Sequence, residues 1–178
     1  MQAVVSRLAV TALALGLVGG AQAATTVTGQ ITSSLILTSA CLVNGSAATS
    51  GLNFGTLNFG TTGSLFTTAT GQVLAGGGGA MSIQCSAGST PVLKVRAGAH
   101  DGQIAGGSRA LADASSNFVP YDLYTDAGFS TLLPIDGTVA LGASTGAAQT
   151  VNLYGRAVGR PGLPAGTYTD TIAVELTF

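Results

Sequence analysis

Apolar residues recur at every second position through much of this chain, and this period of two constrains its fold more than any other feature. One parity of residues 167–178 is mostly apolar, and the other is mostly threonine. The apolar positions are Ile172, Val174, Leu176 and Phe178. Successive side chains of a strand point to opposite faces, so the pattern predicts a half-buried strand over 167–178. The same alternation predicts strands over residues 81–85, 93–97, 119–124 and 151–154.

Turn-forming residues separate these segments. Glycine accounts for 27 of the 178 residues and forms an unbroken run at 76–79. Residues 159–166 combine three glycines with two prolines. Short strands with breaks at this spacing are typical of a β-sandwich, and no amphipathic helical pattern or linker interrupts them. The sequence therefore predicts a single all-β domain of about seven short strands.

Charged side chains make up only 7% of the chain, against roughly 25% in an average soluble protein. General acids, general bases and metal ligands come largely from those residue types and from histidine, of which the chain has one, His100. The net charge of −1 removes the electrostatic attraction that nucleic-acid binding requires. We therefore expect a protein that is not an enzyme, holds no metal or cofactor, and binds no nucleic acid.

The first 23 residues are organised like a signal peptide. Arg7 precedes an apolar run over 8–18, and Ala21-Gln22-Ala23 supplies the small-x-small pattern that signal peptidase recognises. The run of eleven residues is too short to cross a bilayer, which needs roughly 20 residues. We expect cleavage after Ala23, secretion through the periplasm, and no membrane span.

Two cysteines, Cys41 and Cys85, remain in a chain directed to an oxidising compartment. A disulfide is the expected state there, and two buried free thiols are the alternative. Closing a loop of about 45 residues would remove unfolded-state entropy worth roughly 4 kcal/mol. A disulfide that contributes this much would be a large part of the folding stability of a β-domain with a modest core.

Residues 24–38 also alternate in polarity, but no turn links them to an antiparallel partner. One interpretation is that they form the first strand of the sandwich. The other follows from the closing segment, because the chain stops at Phe178 while still in its strongest strand pattern. A fold that lacks its next strand exposes a hydrophobic groove, which an extended segment of another chain can fill by strand addition.

Six short motifs, found in order along the chain, carry a resemblance to a known family. They are Thr28-Gly29-Gln30, Cys41, Phe54-Gly55-Thr56-Leu57-Asn58-Phe59-Gly60, Ile83-x-Cys85, Tyr121-x-Leu123-Tyr124 and Pro164-Ala165-Gly166-Thr167-Tyr168-Thr169-Asp170. With the signal peptide and the paired cysteines, this set resembles the spore coat protein U domain family. In particular, it is similar to a major pilin of the archaic chaperone–usher pathway.

The resemblance implies an incomplete immunoglobulin-like β-sandwich that is completed by a donor strand from another chain. Residues 24–38 would form the N-terminal donor-strand extension, and residues 39–178 the pilin domain. The donor-strand residues would be Val27, Gly29, Ile31, Ser33 and Leu35. The acceptor groove, which is also the chaperone-binding edge, would include Ile172, Val174, Leu176 and Phe178. Cys41 and Cys85 would form the family disulfide.

The function that the resemblance implies is that of a structural pilin subunit. Such a subunit polymerises by donor-strand exchange into a cell-surface fibre for adhesion and biofilm formation. Its partners would be identical or related pilin subunits, a periplasmic chaperone and an outer-membrane usher. Two other functions stay open: a tip or monomeric adhesin, and a structural protein of a spore or cyst coat.

Two local features carry expectations of their own. Asp170 lies on the apolar face of the closing segment, so it needs a partner if buried, and Arg156 or backbone amides are the candidates. The sequence Leu-Asn-Phe-Gly occurs twice within residues 52–60. For this duplication we expect two phenylalanines docked into the core, with the glycines permitting bends.

Overall fold

A computed structural model describes residues 24–178, and this range contains twelve β-strands and no helix. Every ladder in it joins antiparallel strands. The strands are β1 (Cys41–Val43), β2 (Thr56–Leu57), β3 (Thr68–Leu74), β4 (Met81–Cys85), β5 (Val92–Gly98), β6 (Arg109–Ala112), β7 (Phe118–Tyr124), β8 (Leu132–Leu133), β9 (Gly137–Ala140), β10 (Gln149–Val151), β11 (Tyr154–Val158) and β12 (Ile172–Thr177).

The strands form three sheets that contribute to one core. The first sheet has the order β1-β4-β10, and the third has the order β12-β5-β9. The second has the order β2-β3-β11-β7-β6, with β8 beside β7. Met81 of the first sheet, Tyr121 of the second and Leu93 of the third belong to the same buried cluster. The predicted all-β sandwich is confirmed.

The interior of the sandwich follows the predicted alternation on β4 and on most of β5, where Ala97 is an exception because it is exposed. On β4, Met81, Ile83 and Cys85 face inward, and none of them is more than 3% exposed. On β5, Leu93 and Val95 are at most 1% exposed. Burying one aliphatic side chain of this size contributes about 1.5 to 3 kcal/mol. These two strands therefore supply several of the most deeply buried side chains of the core.

The segment predicted as a strand over 151–154 is divided between two strands. β10 ends at Val151 and pairs with β4, whereas β11 begins at Tyr154 and pairs with β3 and β7. The chain thus passes from the first sheet to the second between these residues. The apolar pattern continues across this change because Val151 and Leu153 are both buried in the shared core.

The closing strand is shorter than the predicted 167–178. β12 begins at Ile172, because the residues before it bond to more than one strand. The Thr169 amide and carbonyl pair with those of Ala112 on β6, while the Thr171 carbonyl accepts a hydrogen bond from the Ala99 amide after β5. Residues 167–171 therefore cross from the second sheet to the third before the regular ladder starts.

Residues 24–40 contain no strand, although the alternation in 24–38 suits one. Val27 and Ile31 are 94% and 97% exposed. A strand satisfies its backbone hydrogen bonds by pairing with another strand, and no ladder among the described residues includes this segment. Leu37–Phe178, which contains all twelve strands, forms a compact unit by itself.

The predicted signal peptide, residues 1–23, lies outside the described residues. Nothing helical within residues 24–178 is long and apolar enough to cross a membrane.

Candidate functional site

The last strand has one covered edge and one open edge. β12 pairs with β5 on one side, and on the other side no strand among residues 24–178 pairs with it. Ile172, Val174 and Leu176 are half-buried and pack against the core, whereas the odd-numbered residues between them are exposed. An edge strand of this kind presents a row of backbone groups to which another strand can bond.

A cavity of about 630 Å³ lies beside this strand. Its lining includes residues 51–57 and residues 170–174, together with core side chains from all three sheets, such as Met81, Val95 and Leu123. We call this cavity the groove. Most of the residues that line the groove are apolar, so apolar side chains of suitable length gain free energy by entering it.

The duplicated Leu-Asn-Phe-Gly sequence forms part of the groove lining. Phe54 and Phe59 both line the groove and pack against the core. The Phe59 ring meets the Tyr121 ring edge to face at 5.7 Å between centroids. This confirms the expectation that both phenylalanines dock into the core.

The asparagines and glycines of the duplication explain how its backbone turns. The Asn53 side-chain oxygen accepts a hydrogen bond from the Gly55 amide, and the Asn58 oxygen accepts one from the Gly60 amide, at 2.9 and 2.8 Å. Gly55 has a φ of 146°, and a side chain there would lie 2.9 Å from the Leu74 carbonyl oxygen. Each copy therefore bends at a glycine whose amide is held by the asparagine two residues before it, and its phenylalanine lies between the two.

A polar pair lies among the apolar residues of the groove. The Tyr121 hydroxyl donates a hydrogen bond of 2.7 Å to Oδ2 of Asp170, and the Ala99 amide donates one of 2.9 Å to Oδ1. Burial and the bond to Asp170 raise the pKa of Tyr121 well above its usual range. The expected backbone partner of Asp170 is therefore confirmed.

The expectation of Arg156 as a partner for Asp170 is wrong. Its Nη2 donates a hydrogen bond of 2.7 Å to the Tyr124 hydroxyl, and its guanidinium lies 5.1 Å from the centre of that ring. Arg156 and Asp122 occupy opposed positions on β11 and β7. Because β11 pairs with β7 in the second sheet, the Arg156 side chain lies next to Tyr124 and bonds to it.

Arg109, on β6, is fully buried beside the polar pair. Its Nη1 donates a hydrogen bond of 2.8 Å to the Arg96 carbonyl on β5 and lies 3.9 Å from Oδ1 of Asp101. This link joins the second and third sheets through a charged donor. No motif in the sequence predicts that Arg109 is buried, and the one available signal is the parity that it shares with Leu111 on a four-residue strand.

The two cysteines form a disulfide, as expected. Cys41 on β1 lies directly opposite Cys85 on β4, with their Cα atoms 4.0 Å apart. The bridge thus ties the start of the folded domain to one of the best-buried strands. No group of three or more potential metal ligands occurs among the described residues.

The predicted groove residues do not all reach the groove. Ile172 and Val174 line it, while Leu176 packs on the core beyond the lining. Phe178 follows the end of β12 and is 51% exposed. The predicted donor residues of 24–38 are all exposed, including Leu35 at 81%.

Comparisons with known proteins place the chain in a family. The family model described as Spore Coat Protein U domain matches residues 25–175. Protein U of Myxococcus xanthus is 32% identical over 139 residues, which is 72% of this chain and 75% of that protein.

A solved chaperone–tip adhesion subunit complex, CsuC–CsuE from archaic chaperone-usher Csu pili of Acinetobacter baumannii, aligns with 80% of this chain. That alignment spans 40% of the other chain's length, at 18% identity and a TM-score of 0.47. The family match covers nearly all of residues 24–178, and on that ground the chain belongs to the spore coat protein U domain family.

Proposed function

We propose that this protein is a structural subunit that polymerises by donor-strand exchange into a cell-surface fibre. Residues 24–38 of one copy enter the groove of the next copy and pair with the open edge of β12. The observation that carries the proposal is the presence, in one chain, of an open apolar groove and an exposed segment whose apolar residues alternate.

The groove supplies what an added strand needs. The open edge of β12 offers backbone hydrogen bonds, and the apolar lining offers contacts for alternate side chains of the incoming segment. Specificity in this mode of recognition comes from the side chains, since backbone bonds are the same for every sequence. Ile172 and Val174 would contact the incoming strand directly.

The extension supplies the complementary side chains. Val27, Ile31 and Leu35 share one parity, and each is at least 81% exposed. Full burial of three such side chains is worth roughly 5 to 9 kcal/mol before the cost of ordering the segment. Leaving them in water has no comparable benefit, so the extension is best explained by a partner that buries it.

The same open edge accounts for the other partners. A subunit with an unpaired apolar groove aggregates unless something covers it. A periplasmic chaperone would occupy the edge at Ile172, Val174 and Leu176 until an outer-membrane usher exchanges it for the next subunit. The fibre would then extend from the cell surface, where it would serve adhesion and biofilm formation.

A coat role is the second candidate, and the family description favours it. A structural protein of a spore or cyst coat could assemble by the same strand exchange and form a shell instead of a fibre. Electron microscopy of cells with and without the gene distinguishes the two, because a pilin leaves thin surface fibres and a coat protein leaves a layer around resting cells.

The test of the assembly mechanism is a pair of neighbouring substitutions. Ile31→Asp places a charge on the parity that enters the groove, and Thr32→Asp places one on the opposite parity. Both residues are exposed in the single chain, so neither change should unfold it. Ile31→Asp should abolish fibres on cells that express the chaperone and usher, while Thr32→Asp leaves fibre yield within about twofold of wild type.

The chaperone complex is the control for export. It should form equally well with both variants, since the chaperone contacts the groove and not the extension. Normal fibres from Ile31→Asp would overturn strand exchange. Equal loss with both variants would show that the extension acts without a defined inward face.

A further inference from the structure

Between Val27 and Leu35, the inward parity of the extension carries one polar side chain, which is Ser33. If the proposed function holds, Ser33 enters the groove of the next copy along with Val27, Ile31 and Leu35. A hydroxyl removed from water without a hydrogen-bond partner costs about 1 to 3 kcal/mol. The groove must therefore supply a polar partner at one place along its length.

The groove contains one suitable place. Three of its polar lining residues, Asn53, Thr56 and Thr171, are exposed and have access to water. Asp170 is half-buried and belongs to the same even parity as the inward-facing residues of β12. Its neighbour Tyr121 is only 2% exposed.

Asp170 can accept a further hydrogen bond. Oδ2 accepts from the Tyr121 hydroxyl, and Oδ1 accepts from the Ala99 amide. An ionised carboxylate has about four acceptor positions, so these two bonds leave capacity for another donor. A serine hydroxyl is a small donor that fits beside a carboxylate on an adjacent strand, where opposed Cβ atoms lie about 5 Å apart.

We propose that Asp170 of one copy accepts a hydrogen bond from Ser33 of the next copy, and that this pair sets the register of the donor strand. The proposal rests on the proposed function and adds the register to it. With Ser33 opposite Asp170 in an antiparallel pair, Ile31 lies opposite Ile172 and Gly29 opposite Val174. A slip of two residues places the Ser33 hydroxyl opposite Ile172 or Tyr168 and leaves Asp170 facing Leu35 or Ile31, respectively.

The backbone around β12 is consistent with this pairing. Every ladder of the described domain is antiparallel, and the Thr171 carbonyl bonds toward Ala99, on the β5 side. Backbone groups alternate sides along a strand, so those of the even-numbered residues face the open edge. Ala173 would then lie opposite Gln30 in a pair without mutual hydrogen bonds, where Cα atoms are about 4.5 Å apart.

That separation is within the range of a disulfide, which provides the test. Ala173 borders the groove but is exposed, and residues 28, 30 and 32 are on the outward parity, so cysteines at these positions replace none of the inward-facing side chains. Full-length Ala173→Cys is combined in turn with Gln30→Cys, Thr28→Cys and Thr32→Cys. Fibres are oxidised, boiled in detergent without reductant, and resolved by size, with each single cysteine variant as a control.

The proposed register predicts a ladder of covalent oligomers with Gln30→Cys that is at least about tenfold stronger than with the other two positions. A stronger ladder with Thr28→Cys or Thr32→Cys would overturn the register and leave strand exchange standing. Fibres that form with every pair yet yield no ladder would overturn pairing along β12, and with it the proposed function.

Ser33→Ala tests the hydroxyl separately from the register. Introduced into each of the three cysteine pairs, Ser33→Ala should reduce the tenfold preference to near equality among the three positions, and Ser33→Thr should restore it. An undiminished preference in Ser33→Ala fibres would show that Ser33 does not determine the register.

Discussion

The extension 24–38 and the closing strand β12 show nearly the same sequence pattern, but their environments are opposite. Both alternate apolar and polar residues. Ile172, Val174 and Leu176 of β12 are half-buried against the core, whereas Ile31 of the extension is 97% exposed. The difference is that β12 has β5 as a neighbour and the extension belongs to no ladder among the described residues.

The comparison teaches that alternation determines which side chains share a face, and not what covers that face. A period of two is equally satisfied by a strand in its own domain and by a strand added to another molecule. Substitutions in the two segments should therefore act on different equilibria. Those in the domain should change folding, and those in the extension should change assembly.

The largest effect on folding is expected from the disulfide. Replacing Cys41 and Cys85 together with alanine should lower the free energy of unfolding by up to about 4 kcal/mol, because the unfolded chain regains the freedom of the open loop. Urea denaturation of the full-length protein measures this change. A loss below about 1 kcal/mol would mean that the strands of the domain hold the β1–β4 pairing without the bridge.

The next effect separates the two alternating segments directly. Val174→Asp places a charge in the groove lining and should lower the free energy of unfolding by about 2 to 3 kcal/mol. The neighbouring exposed position, as Ala173→Asp, should change it by less than about 0.5 kcal/mol. Thermal unfolding of the purified full-length proteins provides the comparison.

In the same measurement, Ile31→Asp should change the free energy of unfolding as little as Ala173→Asp does. A loss of stability as large as that of Val174→Asp would break the comparison. It would show that the extension is buried within a single chain and contributes to its folding.

A smaller effect is expected at the polar pair beside β12. Tyr121→Phe removes the hydrogen bond to Asp170 while retaining the buried ring, and should cost about 1.5 to 2 kcal/mol because the acceptor is a carboxylate. Tyr168→Phe is the matched control, since its hydroxyl bonds to the exposed Pro164 carbonyl. Equal urea midpoints for both variants would contradict a stabilising role for the Tyr121–Asp170 bond.

The smallest expected effect is the loss of folding stability at low pH. Hydrogen bonds from the Thr131 and Ser130 amides lower the pKa of Asp126 to about 2. The carboxylate form is therefore favoured by folding, and its contribution is complete above the unfolded pKa of about 3.9 and lost as the pH falls toward 2. The extension has no titratable side chain, so acid should act on the domain alone.

Carbon NMR of the Asp126 carboxyl group measures its pKa directly. Asp126→Asn should remove the corresponding part of the acid dependence of unfolding. Titration of Asp126 near 3.9 would show that its loop does not hold the carboxylate.

The residues around the groove show where prediction from the sequence succeeded. The parity of β12 and the inward docking of Phe54 and Phe59 were predicted, because both depend on local spacing. The disulfide was expected because the chain has two cysteines and an apparent signal peptide. The strand face and the docking of the phenylalanines are encoded within a few residues. The disulfide could be expected because the chain has no third cysteine that could compete for the pairing.

The polar contacts show where prediction from the sequence failed. Asp170 bonds to Tyr121, which is 49 residues away, and Arg109 bonds to the Arg96 carbonyl of another sheet. Arg156 was considered for Asp170, yet it bonds to Tyr124. Such pairings follow from which strands become neighbours, and local alternation contains no information about that choice.

The sequence by itself thus determined the all-β class, the faces of the strands and the polarity pattern of the extension. These are consequences of side-chain direction along an extended backbone. The tertiary structure alone decided that β12 has an open edge, that residues 51–57 and 170–174 border one groove, and that Asp170 and Tyr121 meet there. Those features depend on contacts between residues far apart in the chain, whose geometry exists only once the three sheets have packed around a common core.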